Sequence, residues 1–262
     1  MLSINANELT LSSDSSLTIN KDTHIIVNED TNINVSLLVN SNENIDITID
    51  VKDYAHLNLT IISIGSIKKY NVTINVYESA YLDIAEANAT EGTVELNQTT
   101  NLLGRYAEVK SYEYISTNKD TKVTGIHLVN HKNTDTVSNT KCVYLTRDDS
   151  SVVRNISSAI GKDMTNSVSS ETIKGVILGE KSKIIAEPIL IIGCEDVHAA
   201  HGCAIGTLDD NEIYYLMSRG LSKSDAIKMI TSSFIVPVIK HSKDEEFNKQ
   251  IMSYLEKTIE VA

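Results

Sequence analysis

The chain has no tryptophan, two prolines, 11 glycines and three cysteines among its 262 residues. It also lacks any Asn-Gly or Asp-Gly pair, the turn dipeptides that usually mark hairpin-built sandwiches and barrels. No basic N-terminal stretch leads into an apolar run, so a secretory leader is not expected. No segment approaches the ~20 continuous apolar residues that a membrane-spanning helix requires. Cys142, Cys194 and Cys203 form an odd set, unsuited to a disulfide framework. A soluble cytoplasmic protein with reduced thiols is therefore expected, in which cysteines close to histidines are metal or redox candidates. Basic charge is also scarce: 23 Lys and Arg stand against 35 Asp and Glu, a formal balance of −12. Such a surface repels the phosphates of a nucleic acid.

What is present is a core-forming composition, 41% hydrophobic and 22% charged, arranged with a period of two. In Asn44-Ile45-Asp46-Ile47-Thr48-Ile49-Asp50-Val51 the Ile and Val side chains all fall on one side and the polar ones on the other, which predicts a half-buried strand. Similar runs follow at Leu57–Ile61, Val72–Val76 and Thr93–Leu96, at intervals of roughly 10 to 14 residues, with Asn, Ser, Asp or Gly between them. Such a rhythm suits a sandwich, a barrel or a solenoid. Because tight hairpin dipeptides are missing, a parallel β-helix fits best: stacked coils with an inward column of Ile, Val and Leu and with Asn or Thr at the corners. No strict repeat length is legible.

At Thr207 the period changes. Thr207-Leu208-Asp209-Asp210 offers an N-cap and first-turn acidic residues, Leu208, Ile213, Leu216 and Met217 recur at helical spacing, and Gly220 supplies a stop. Ser222-Lys223-Ser224-Asp225 predicts a second capped helix, which Pro237 closes. A last helix is expected to carry Phe247, Ile251, Tyr254, Leu255 and Ile259 on one face. The expected architecture is mainly β, with a β-helix core over residues 1–206 and a small C-terminal α-helical domain over 207–262.

The densest set of ligand-type side chains is Cys194-Glu195-Asp196-Val197-His198-Ala199-Ala200-His201-Gly202-Cys203. On an extended chain Cys194, Asp196 and His198 face one way while His201 and Cys203 face the other, and Cys194 and His198 stand ~13 Å apart. Of this set only His201 and Cys203 can converge, and two ligands do not complete a tetrahedral centre. A full centre needs another coil or another subunit. The bland reading makes Cys142 and Cys194 buried apolar residues of strands. His127 and His131, ~13 Å apart on one strand, are not expected to form a metal pair. The phosphate-binding loop, the GxGxxG turn, the GxSxG elbow and HExxH are all absent, and an enzyme is not indicated.

The stretch His201-Gly202-Cys203-Ala204-Ile205-Gly206-Thr207-Leu208-Asp209, continuing through Tyr214-Tyr215-Leu216-Met217-Ser218-Arg219-Gly220-Leu221, resembles the SufB/SufD family of the SUF iron-sulfur cluster assembly machinery. That family typically shows an HGAT-x-G-x-L-D segment followed by a Tyr-Leu-x-Ser-Arg-Gly helix. The likeness extends from about Ala107 to Ile239. It implies a right-handed parallel β-helix and a non-catalytic scaffold that pairs with a second subunit and docks a SufC-type ABC ATPase. It also implies that a transient iron-sulfur cluster is held on the scaffold. Carried over, His201 falls on the family's motif histidine and is the first candidate ligand, with Cys203, Glu195 and Cys194 as supplements. Tyr214, Tyr215, Leu216 and Arg219 are the candidate ATPase anchors. Two departures favour a short, SufD-like member: Ile173 stands where SufB-type subunits carry a cysteine, and Gly202 where they carry a glutamate. Either a homodimer or a heterodimer with a SufB-like subunit is implied. The competing readings are a polysaccharide-acting β-helix enzyme and a purely structural solenoid.

Overall fold

Alternation in the sequence becomes alternation in burial. Ile45, Ile47, Ile49 and Val51 are buried on the strand Ile45–Val51 while Asp46 stays exposed. Each strand pairs in parallel with the strand two places along the chain, so successive strands fall into two sheets. The computed structural model describes residues 8–249, Met252 and the backbone of residues 2–3. Among these, nine strands form one sheet and eight the other, and each coil gives one strand to each. The chain is thus a parallel β-helix, flattened into two facing sheets.

Stacking places like on like. Ile47, Ile49 and Val51 lie in register with Val72, Ile74 and Val76 of the next coil, and burying each such side chain contributes ~1.5–3 kcal/mol. The advance per coil is not constant: it is 16 residues from Glu8 to His24, 24 from Ile33 to Leu57 and 32 from Ser151 to Lys183. A drifting coil length is why no strict repeat is legible. Many asparagines expected at corners instead form a ladder on the outer face of the eight-stranded sheet. Asn101 Nδ2 donates to Asn75 Oδ1 at 2.9 Å, and Asn130 Nδ2 to Asn101 Oδ1 at 3.0 Å. The corners use left-handed residues other than glycine, among them Asp30, Tyr54, Ser79 and Asp135. Their amides bond to the next coil's corner, as from Tyr54 to Glu78 at 2.8 Å and from Ser79 to Arg105 at 2.8 Å. Stacked corners hold a backbone conformation that an isolated turn would assign to glycine.

After the last strand, Val197–Gly206, come helices α1 (Asp210–Ser218), α2 (Lys223–Ser233) and α3 (Val236–His241). Asp209 and Ser222 cap the first two, accepting from the amides of Asn211 and Asp225. Pro237 opens α3 rather than closing the preceding segment, because a proline lacks only an amide proton that a first turn leaves unpaired anyway. The helices fold back over the outer face of the nine-stranded sheet. Ile235, Val238 and Phe247 pack on Leu38, Ile62, Ala85, Tyr114 and Val143, while Leu208, Ile213 and Ala226 pack on Leu145 and Val176. His241 ties the tail down, with Nε2 3.1 Å from Asp83 Oδ1 and Nδ1 2.9 Å from Thr60 Oγ1. Residues 245–249 are helical, but the rest of the expected final helix, with Ile251, Tyr254, Leu255 and Ile259, lies outside the described residues.

Candidate functional site

The two sheets end in two edge strands, Lys183–Ile192 and Val197–Gly206, and among the described residues neither has a further partner. His201 stands in register with Glu171, and Cys203 with Ile173. Those neighbours point into the coil, being 2% and 1% exposed, so His201 and Cys203 continue the inward phase at a coil that no described residue covers. Both are exposed. Their places on one face, two residues apart, set them ~7 Å apart along the strand. Burial pushes the Cys203 thiol up. Behind His201, burial pushes the Glu171 carboxyl up to about 7, even though Ser158 donates a hydrogen bond to it at 2.7 Å.

Cys194 and Glu195 are elsewhere. They sit in the corner before Val197, ~20 Å or more along the chain from Cys203 at the strand rise of ~3.3 Å per residue. The expected set therefore divides within one chain into a rim pair, His201 with Cys203, and a corner pair, Cys194 with Glu195. On α1, Tyr214 and Tyr215 are 74% and 57% exposed and Arg219 is exposed, its guanidinium 5.2 Å from the Tyr215 ring centre. Leu216 differs: it is half-buried against the chain's own small core.

A second cluster, inside the coil, was not singled out from the sequence. Glu86, Glu113, Cys142, Ile173 and Cys203 form one vertical column in the nine-stranded sheet. Gln98 and His127 form the column of the eight-stranded sheet that lies next to Arg154's. Glu113 Oε1 accepts from Arg154 Nη2 at 2.5 Å and Oε2 accepts from the Tyr144 hydroxyl at 2.6 Å. Burial by itself raises the Glu113 carboxyl, but the Arg154 guanidinium, with His127 and Tyr144 beside it, outweighs that and holds it well below the usual range. Burial and then the Glu113 charge push Glu86, one coil below, up to about 8. Burial also drives the Cys142 thiol far up.

Gly125 makes this arrangement fit. It stands between Leu96 and Arg154 in its column, and Arg154 reaches past it to donate to the Leu96 carbonyl. A Cβ at position 125 would lie 1.9 Å from that carbonyl oxygen, and the backbone there has φ +125°. Cys142, expected to be core, is indeed fully buried, yet it is also one of three ligand-type groups, with Glu113 and His127, whose donor atoms all lie within 4.8 Å of one another. His131 is separate from them, its ring bridging Thr136 and Ser138 at 2.7 and 2.9 Å.

Over residues 9–234 the chain matches the family described as SUF system FeS cluster assembly, SufBD core domain. The match begins well before Ala107, so the likeness includes the early coils as well. The chain is 37% identical over 84 residues to the iron-sulfur cluster assembly protein SufD of Bacillus subtilis (strain 168), 32% of this chain and 19% of the relative. It is 32% identical over 82 residues to the protein of the same description from Escherichia coli (strain K12), 31% of this chain and 19% of the relative. An iron-sulfur cluster assembly SufBD family protein of Archaeoglobus fulgidus is 42% identical over 67 residues, 26% of this chain and 18% of the relative. The matched segments thus span about a fifth of these relatives' length. Among the described residues no helix is long and apolar enough to cross a membrane.

Proposed function

Because the chain belongs to the SufBD core-domain family of the SUF iron-sulfur cluster assembly system, we propose that it is a SufD-like, non-catalytic scaffold subunit whose open last coil pairs with a second subunit and holds a nascent cluster at the seam. The observation that carries this reading is the uncovered end of the coil. Two ten-residue edge strands lie there with unpaired backbone, Ile191 and Ile192 are 58% and 41% exposed, and His201 and Cys203 face the opening. Long apolar edges of this kind are normally blunted or paired. A two-fold axis at this edge pairs Val197–Gly206 antiparallel with its mate, and His201 is central in that strand. Each subunit then brings one imidazole and one thiol to a common centre, the borderline and soft donors that suit iron-sulfur cargo. The same geometry serves a homodimer or a pairing with a SufB-like subunit.

The helical region from residue 207 supplies the dock for a SufC-type ABC ATPase. Tyr214, Tyr215 and Arg219 are the anchors, as aromatic and arginine side chains dominate contact energies, while Leu216 supports them from within. Closure of paired ATPases would shear the two coils against each other and open the seam.

The test is anaerobic reconstitution of the full chain, alone and with a SufB-like partner, with ferrous iron and sulfide. Cluster absorption should fall several-fold in His201→Ala and less in Cys203→Ser. A Tyr214→Ala/Tyr215→Ala chain should lose at least about 10-fold in affinity for the ATPase, the equivalent of about 1.4 kcal/mol. Absorption unchanged by both rim substitutions would sink the seam site.

A further inference from the structure

We propose that the interior of the coil holds a second metal site, formed by Glu113, His127 and Cys142, for one thiophilic divalent cation of the zinc or ferrous type. It is independent of the rim. The column from Cys142 through Ile173 to Cys203 places it about 10 Å below the open end, at ~4.8 Å per coil.

Geometry is the first argument. The carboxylate oxygen, ring nitrogen and sulfur lie within 4.8 Å of one another, and a tetrahedral ion with bonds of 2.0–2.3 Å needs them about 3.3–3.8 Å apart. Side-chain adjustments of about 1 Å close that gap. His127 supplies the second, independent argument. It is 1% exposed, and neither ring nitrogen has a hydrogen-bond partner; the nearest carboxylate oxygen, Glu113 Oε1, is 3.8 Å from Nδ1. A buried imidazole with both nitrogens idle is costly, and an ion or a water is the ordinary remedy.

The surroundings supply what a bound cation needs. Arg154 and Tyr144 hold the Glu113 carboxylate in place, as outer groups orient ligands in metal centres. Beside Glu113 is an interior cavity of about 20 Å³ that Glu86, Gln98 and Arg154 also line, room for one water on the Glu113 side of the site. The Gln98 side-chain amide, 3% exposed and with neither its oxygen nor its nitrogen partnered, is placed to hold that water. On binding, Cys142 gives up its thiol proton to solvent and the S–metal bond forms with no change of oxidation state. Thiolate, imidazole and carboxylate together select a zinc-like or ferrous ion over magnesium or calcium.

The experiment uses the full chain carrying Cys194→Ser, Cys203→Ser and His201→Ala, so that the rim is disabled and Cys142 is the sole thiol. Metal content is measured on this protein as purified from zinc- or iron-supplemented growth, followed by X-ray absorption and by exchange with Co²⁺ as a spectroscopic probe. The expected result is close to one equivalent of metal, one sulfur neighbour and a thiolate-to-cobalt charge-transfer band. Adding His127→Gln should weaken Co²⁺ binding by at least about 100-fold, because losing even an outer partner of a metal ligand costs about 10–100-fold. A metal-free protein with no cobalt-thiolate band would overturn the proposal and leave water as the partner of His127. So would metal bound without sulfur. Because the sulfur signal is read in a chain that keeps Glu113, His127 and Cys142, the result stands even if His127→Gln fails to fold.

Discussion

The lower and upper coils are built on one backbone plan, but only the upper coils add charged and ligand-type side chains to the aliphatic interior that both share. In the early coils the space between the sheets is aliphatic: Leu17, Ile19, Ile25, Val27, Leu37, Ile47, Ile49, Leu57 and Leu59 are all buried there. From Glu86 onward the inward positions still hold Val109, Ile115, Val123, Val152 and Ile156, but between them stand Gln98, Glu113, His127, His131, Cys142, Arg154, Ser158, Ser169 and Glu171, also buried. The Glu86 column shows the change residue by residue: Leu37 and Ile61 lie below it and Glu113 and Cys142 above it. Burying polar groups costs stability unless they are paired. The lower coils therefore carry the apolar burial that lets the upper coils keep charged and ligand-type groups inside, next to the open rim.

The largest effect expected from disturbing this contrast is at Arg154. Arg154→Met leaves Glu113 buried with its hydroxyl donor Tyr144 but without its countercharge, which should cost about 4 kcal/mol in denaturant unfolding, as for other broken buried pairs. Glu113→Gln/Arg154→Met, which removes both charges, should recover most of that loss. If the single and double variants are equally destabilised, the loss comes from packing, and the ion pair is not what holds the polar interior together.

Strand phase, the β-helix and the first two helix caps were legible because each is written in neighbouring residues: alternation in Ile45–Val51, Asp209 and Ser222 ahead of their helices. The interior trio was not, because Glu113, His127 and Cys142 come from three different strands and no spacing within one strand joins them. His127 finds its ligand-type neighbours on the strands of the facing sheet, while His131 on its own strand bonds to Thr136 and Ser138. A signal did exist: Glu113 shares the inward phase of Val109 and Ile115, and Arg154 that of Val152 and Ile156. A charge in apolar phase on each of two successive coils points to a buried pair. The varying coil length hid which residues stack, so the pairing could not be drawn without the register.

Second in size is a pH effect confined to the upper coils. Burial pushes His131 down to about 4, while the unfolded chain titrates near 6.5. Between those values the unfolded state binds the extra proton, so the stability is complete above pH 6.5 and is lost as pH falls toward 4. The loss from this residue should reach about 3 kcal/mol. His131→Gln should flatten that part of the profile in parallel unfolding titrations. An unchanged slope between pH 6.5 and 4 would mean that the imidazole is not held neutral between Thr136 and Ser138.

The smallest effect belongs to the lower coils and tests their half of the contrast. Ile49 is 1% exposed and stacks directly between Ile25 and Ile74, so Ile49→Val removes one methylene from contact with aliphatic neighbours on both sides and should cost about 1 kcal/mol. Since no polar group there depends on the lost contact, the cost should be the same at pH 7 and pH 5, and cobalt binding in the upper coils should not change. A loss that grows with acidity, or that carries over to the metal, would show that the apolar column and the polar interior respond as one unit rather than as a support and the chemistry it supports.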